Sequence, residues 1–371
     1  MKKKAGGETT ILMKTAELIT VLKEKIANGY AGPDGRLPNI GNIAKEFSVS
    51  PMTAQKAIKV LVEAEILSST RGKGVYLKQR SAAATRIGIV TMNYCEPGIA
   101  YAAAYASYII PAVELLKNAG CRIQRYDRGD LKGNPATVRS ILKELDGMII
   151  TIGCLDAETL PHLLSWEKPV VLIQQEEFLD YPFSQIIPDR TPAFQDLLTL
   201  LNTDPPKEVL IINNGTFHLP RIRSFLQHLR RNPQTRNAHV ETITIQKHLV
   251  DLGCIAGQQI AEKVLKSNKK YDLIFSPSDF LTFGFIDVMN QHGKQYGKDY
   301  DLVSYDNLED DGYLPFEKPV MTCIDKRPKE ISEAAAKLLL NMNRLRPITS
   351  MLCKIPCRLV LRETFCRRTS T

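Results

Sequence analysis

The sequence predicts an α/β chain in two parts: a small helical head over residues 1–78, ending in a basic hairpin, and a larger two-lobed, parallel-sheet body over residues 86–371. Three observations predict it. Helical apolar spacing over the first 64 residues gives way to two short strand-like runs. From Arg86 onward, strand-like runs alternate with amphipathic helices, which is the pattern of parallel sheets covered on both faces. The charge divides at the same place: residues 1–80 hold 14 Lys and Arg against 7 Asp and Glu, a net +7 of the chain's +9. A basic head on a nearly neutral body suits contact with a polyanion, though a solvated basic surface has the same composition.

In the head, Leu18, Ile19, Leu22 and Ile26 share one face of a helix predicted over Thr15–Asn28, with Asn28-Gly29 as its stop. A turn over Ala31–Pro38 leads to a short helix, Ile40–Phe47, with Ile43, Ala44 and Phe47 apolar. Ser50 is a good N-cap and Pro51 suits the first helical position, so a third helix runs from there to about Ala64. Ala57, Ile58, Leu61 and Val62 form its inner face, and Met52, Thr53, Gln55, Lys56 and Lys59 fall outside it. Ile66–Ser69 and Val75–Leu77 read as strands joined by the turn Thr70-Arg71-Gly72-Lys73-Gly74. Two helices, a tight turn and a basic hairpin make a winged helix-turn-helix. Its third helix can enter a major groove with the helix N-terminus and Thr53 and Lys56 on phosphate and Gln55 on a base edge, while Arg71, Lys73 and the glycines bring the wing close to a minor groove.

Residues 79–85, with Ser81-Ala82-Ala83-Ala84, are small and polar and suit a linker. In the body the strand-like runs are Ile87–Met92, Cys121–Tyr126, Gly147–Ile152, Val170–Ile173, Ile186–Pro188, Val209–Asn213, Thr242–Ile245, Leu273–Ser276 and Leu302–Tyr305. Helix-like runs between them include Ala102–Ala119, Thr137–Leu145, Ala193–Leu201, Pro220–Arg231, Cys254–Leu265 and Phe280–His292. The stretch is too long for one comfortable sheet, so two lobes facing across a cleft are expected, with ligand groups at the carboxyl ends of strands.

Several classes are excluded by what the sequence lacks. It has no apolar run long enough to span a membrane, and the basic start at Met1–Gly7 has no apolar core of a signal peptide, so a cytosolic chain is expected. The eight cysteines are scattered without a Cys-x-x-Cys and read mostly as reduced, buried hydrophobes; Cys353 and Cys357 have spacing that would also allow ligands or a disulfide. Phosphate-loop, dinucleotide, nucleophile-elbow and His-Glu-x-x-His patterns are absent, and the six histidines stand singly as surface or capping residues. Neither an enzymatic role nor a cofactor is expected.

A binding role gathers more residues. Asn93 and Tyr94, then Gln174 and Glu176, then Ser278 and Asp279, then Asp306 and Asn307 all lie just past strand ends, and Arg223 lies near a helix start in the second lobe. Carboxylate, guanidinium and amide groups in a ring can saturate sugar hydroxyls, and Tyr94 can stack on an apolar sugar face. Helix capping and loop ends would use the same residues, Asp279 above all.

The run Gly35-Arg36-Leu37-Pro38, Ile43–Ser50, Thr53, Lys56-Ala57, Leu61 and Gly72-Lys73-Gly74-Val75-Tyr76 resembles the DNA-binding domain of the gluconate-repressor (GntR) family. The resemblance implies that Arg36 and Thr53 meet the DNA backbone, with Gly72 or Gly74 as the wing glycine. Pro51 and Gln55 stand where that family often has arginines. In the body, Tyr271–Asp279, Asp299–Asn307, Met321–Asp325 and Leu359–Glu363 resemble the ligand domain of the lactose-repressor (LacI) family, itself similar to periplasmic binding proteins. That implies effector contacts from Arg223 and Asp306; Ser278 stands where Asn is usual and Lys326 where Gln or a similar polar residue is common. The combination resembles the arabinose-repressor type of regulator. It implies a homodimer on double-stranded DNA with an inverted-repeat operator; a small sugar or sugar derivative is expected to change the hold on DNA, with release the expected direction. An exported sugar-binding receptor and a sugar-modifying enzyme are the alternative readings.

Overall fold

The computed structural model describes residues 15–27, 30–32, 35–64, 66–70, 74–77, 85–91, 101–131, 134–151, 153–155, 157–173, 176–245, 253–344 and 350–366, without the side chains of 101–106, 343 and 344. Arg71, Gly72, Lys73, Asn93, Tyr94 and Gln174 therefore lie outside the described residues.

The head consists of α1 (Thr15–Ala27), α2 (Ile40–Glu46), α3 (Pro51–Glu63), β1 (Leu67–Thr70) and β2 (Gly74–Leu77). Leu18, Leu22, Ile43, Ala54, Ala57, Leu61 and Leu67 form its closed core. Asn39 caps α2 by accepting from Asn42 N at 2.8 Å, and Ser50 caps α3 by accepting from Thr53 N at 3.0 Å. Ser48, at φ 52°, supplies the left-handed residue of the turn between them. The wing gains a third rail: Leu37 N donates to Val75 O and Leu77 N to Gly35 O, with Arg36 bridged to Tyr76. The sequence reading places the Gly35–Leu37 run in a turn, without this pairing.

The body has two six-stranded sheets. Lobe 1 has the order β13-β7-β6-β5-β3-β4, all parallel, from β3 (Arg86–Thr91), β4 (Arg122–Asp127), β5 (Gly147–Ile150), β6 (Val170–Leu172), β7 (Ser184–Asp189) and β13 (Leu352–Pro356). Lobe 2 has the order β14-β12-β11-β10-β8-β9, from β8 (Glu208–Asn213), β9 (His239–Thr244), β10 (Leu273–Phe275), β11 (Asp301–Tyr305), β12 (Cys323–Asp325) and the antiparallel edge β14 (Arg358–Val360). The covering helices are α4 (Tyr101–Asn118), α5 (Pro135–Glu144), α6 (Leu160–Leu164), α7 (Thr191–Leu201), α8 (Leu219–Arg231), α9 (Gly253–Ser267), α10 (Asp279–Gln291) and α11 (Pro328–Arg344).

Among the described residues the chain passes between lobes three times. β7 belongs to lobe 1, but α7 buries Phe194 and Leu197 against Val209 and Phe275 of lobe 2. β12 belongs to lobe 2, but α11 returns to lobe 1, burying Ile331, Ala335 and Leu339 against Ile87 and Ile149. β13 and β14 lie in different sheets with Cys357 alone between them. Arg190, Lys326-Arg327 and Cys357 are thus the crossover residues, and two crossovers place a cation between the sheets.

The structure corrects one expectation, the capping role of Asp279. Asp279 does not cap α10: Ser278 occupies the N-cap position, and the Asp279 carboxylate is buried, accepting from Ser304 Oγ and from Leu308 N at 2.7 Å. That ties α10 to the end of β11. Cys353 and Cys357 are both free thiols, and no metal-holding group of His, Cys, Asp or Glu occurs among the described residues.

Candidate functional site

On the head, the amphipathic α3 turns Ala54, Ala57, Ile58 and Leu61 inward, which leaves Met52, Gln55, Lys56 and Lys59 on its exposed face. Met52 is 66% exposed. Ser50 and Thr53 close the helix start, their hydroxyls 2.8 Å apart; Pro51 has no N–H and Thr53 N donates to Ser50 Oγ, which leaves Met52 N as the first-turn donor without an intrahelical partner. Lys59 lies near Glu63 at 3.8 Å, an exposed i,i+4 pair. Arg36 is exposed, its guanidinium 6.0 Å from the Tyr76 ring centre and lying across Gly74. Gly74, at φ +115°, has room for no Cβ without pressing on Arg36 Nε at 3.1 Å. The residues expected to meet DNA that are described therefore share the α3 face and the base of the wing.

In the body, five charged side chains converge between the lobes. Glu176, after β6, lies at the centre and is buried. Its carboxylate accepts from Arg221 Nη2 at 2.5 Å and from Arg190 Nη2, and Lys326 Nζ lies 3.7 Å away. Arg221, on the first turn of α8, also donates from Nη1 to Pro277 O at 2.6 Å and to Asp306 Oδ2 at 3.1 Å. Lys326 Nζ closes the ring on Asp306 Oδ1 at 2.7 Å. Beneath them is the buried Tyr305 ring, with Arg221 over its face at 4.4 Å and its hydroxyl accepting from Arg190 Nε at 2.9 Å. Tyr108, from α4, contributes a second ring 5.3 Å from Lys326 Nζ.

The electrostatics follow from this crowding. Burial alone would push Glu176 up strongly, but Arg221, Lys326 and Arg190 outweigh it and hold the carboxyl well below its usual range. Arg221 and Lys326 lose solvent yet stay firmly charged because Asp306 and Glu176 face them. Burial lifts the Tyr108 hydroxyl to about 12 against the pull of Lys326. Burial, with Arg221 adjacent, depresses His218 to about 3, so its imidazole is neutral. Asp306 holds this position at φ 117°, outside the regions an ordinary side chain prefers, with its N–H fixed to Ile324 O.

Of the residues predicted for effector binding, the structure brings together Glu176, Asp306 and Lys326, with the buried Ser278 next to Pro277. Arg223 is not among them. Its guanidinium is exposed and pairs with Glu177 at 2.8 Å on the rim. Two residues along a helix turn about 200°, so Arg221 and Arg223 face opposite ways. Arg190, Arg221, Tyr108, Tyr305 and His218 escaped the sequence reading. Arg190 and Tyr305 carry the same signal as the others, a polar group at a strand end; Tyr108, in mid-helix, carries none.

Residues 14–77 match the family described as "Bacterial regulatory proteins, gntR family". Over 58 residues the chain is 40% identical to the mannosyl-D-glycerate transport/metabolism system repressor MngR of Escherichia coli, covering 16% of this chain and about a quarter (24%) of that protein's length. It is 22% identical over 338 residues to the arabinose metabolism transcriptional repressor of Halalkalibacterium halodurans, covering 86% of each. Among solved structures, a LacI family transcriptional regulator from Enterococcus faecium with bound ribose superposes with a TM-score of 0.58 at 16% identity, over 77% of this chain and 100% of that one. The chain thus carries a GntR-type helix-turn-helix domain at its head, is a homologue of an arabinose repressor over most of its length, and has a body folded as in LacI-type regulators.

Proposed function

We propose that this chain is a DNA-binding repressor of a carbohydrate-utilisation operon whose operator affinity is set by a small sugar-like effector held between the lobes. Residues 1–78 form the DNA-binding domain, 79–85 the linker and 86–371 the effector and dimerisation domain. The observation that carries the reading is the pairing of an exposed, basic recognition surface on α3 with a largely buried ring of Glu176, Arg221, Asp306 and Lys326 between two lobes. A homodimer would present two α3 helices to an inverted repeat. The described helices include none long and apolar enough to cross a membrane, which accords with work in the cytoplasm.

Retention of the full chain on a DNA fragment bearing an inverted repeat tests the head. Arg36→Ala or Thr53→Ala should cost on the order of 1.5–3 kcal/mol, about ten- to a hundredfold in affinity, with effector binding kept. Retention equal to wild type in both variants sinks the assignment of the head.

A further inference from the structure

Building on the cleft as the effector site, we infer that the effector carries an anionic group, a carboxylate or a phosphate, beside its hydroxyls. Among the described residues the ring holds three cations, Arg190, Arg221 and Lys326, against two carboxylates, Glu176 and Asp306. The surplus is one positive charge, and all three cations are withdrawn from solvent, with side-chain exposures of 9%, 2% and 12%. A buried net charge is costly, and a neutral sugar, which offers only dipoles, leaves that cost in place; an anion removes it.

Two nitrogens in the same place await an acceptor. Arg221 Nε and His218 Nδ1 are shut from solvent with no hydrogen-bond partner among the described residues. They sit three residues apart around the start of α8, with Phe217 beside both. The neutral His218 ring can carry a proton on Nδ1, so both can donate to one oxygen-rich group. Guanidinium donors suit the planar or tetrahedral oxygens of carboxylate or phosphate. The rim pair Glu177–Arg223 satisfies itself and leaves the surplus unchanged. Lys326 contributes the decisive charge: a neutral amide there would leave two cations against two carboxylates.

Thermal-shift titration of the full chain tests this with three matched groups of probes: gluconate and glucuronate; glucose 6-phosphate and ribose 5-phosphate; glucose, ribose and arabinose. Inorganic phosphate against chloride at equal ionic strength serves as a probe that needs no sugar. A charged probe half-saturating at least tenfold below its neutral counterpart supports the inference, and whether the acids or the phosphates lead assigns the group. Lys326→Gln should erase most of that preference and Lys326→Arg keep it, which separates the cleft from the basic head. Wild-type protein alone decides the matter if either variant fails to fold. A neutral sugar that outbinds every charged probe overturns the anion while leaving the cleft an effector site. No response to any probe, phosphate included, overturns the anion, and loss of operator retention is what overturns the regulator.

Discussion

Arg221 and Arg223 make opposite predictions although they stand two positions apart on one helix. Arg221 is 2% exposed and holds Glu176, Asp306 and a backbone carbonyl at once, so Arg221→Ala takes a partner from both carboxylates and leaves Glu176 to Arg190 and Lys326, and Asp306 to Lys326 alone. Breaking a buried ion pair in this way costs about 3–5 kcal/mol, and effector response should vanish with it. Arg223→Ala removes an exposed pair and should change stability by no more than about 1 kcal/mol. Denaturant midpoints for the two variants check this, and equal losses would contradict it. Asp279 has a pH signature of its own. Burial first, then the Asp306 charge, lift its carboxyl from 3.8 to about 8, so the folded chain keeps a proton that the unfolded chain has lost. The resulting stability is full below about pH 4 and is lost as pH rises through about 8. Asp279→Asn fixes the neutral form, and its amide can still donate to Ser304 and accept from Leu308. Its stability should therefore fall less than wild type's between about pH 5 and about pH 9, read from melting temperatures in that range.

At the scale of elements, the sequence patterns locate most strands and helices because each obeys a period, and the ends differ by a residue or so. The pattern predicts α8 over Pro220–Arg231 and it spans Leu219–Arg231; it predicts β11 over Leu302–Tyr305 and it spans Asp301–Tyr305. The edge strands β13 and β14 were not legible: their exposure alternates or is partial, and Pro356 and Cys357 interrupt an otherwise single run. Which lobe a helix joins is equally hidden, because periodicity says that α7 buries a face but not against which sheet. The site suffered from the same limit, since strand ends could be read but the phase of α8 could not. One contact between elements was invisible for a different reason. α9 and α10 approach so closely that a Cβ on Gly257 would lie 2.0 Å from Leu281 O, and one on Gly284 would lie 1.9 Å from Cys254 O. The obstacle in each case is backbone, which cannot step aside as a flexible side chain would. Gly284→Ala should cost at least about 3 kcal/mol, above the usual range for overpacking, and a wild-type denaturant midpoint would show that the helices can separate freely.

Across the whole molecule, charge and connectivity divide the labour. Residues 1–80 hold +7 of the net +9, and Lys56 and Lys59 on α3 and Arg36 at the base of the wing are exposed, whereas Glu176, Arg190 and Arg221 in the body are buried. Salt should therefore act on the two parts unequally. Exposed contacts to phosphate are lost with released counterions: a dimer making six or more such contacts loses about a thousandfold in DNA affinity between roughly 50 and 200 mM salt. Buried pairs are screened far less, so effector affinity for the sugar portion should change little over that range. Among the described residues the chain crosses between the lobes at Arg190, Lys326-Arg327 and Cys357, and the first two crossovers bear ring cations. An effector that exchanged partners with Arg190 and Lys326 would act on two of the segments that join the lobes. Whatever the direction of that coupling, it is reciprocal: the factor by which the effector alters operator affinity must equal the factor by which operator DNA alters effector affinity. Titrating each ligand in the presence and absence of saturating amounts of the other measures both factors. A ratio near one in both titrations would mean that closing the ring does not reach the head, and the proposed regulation would fall even if both ligands bind.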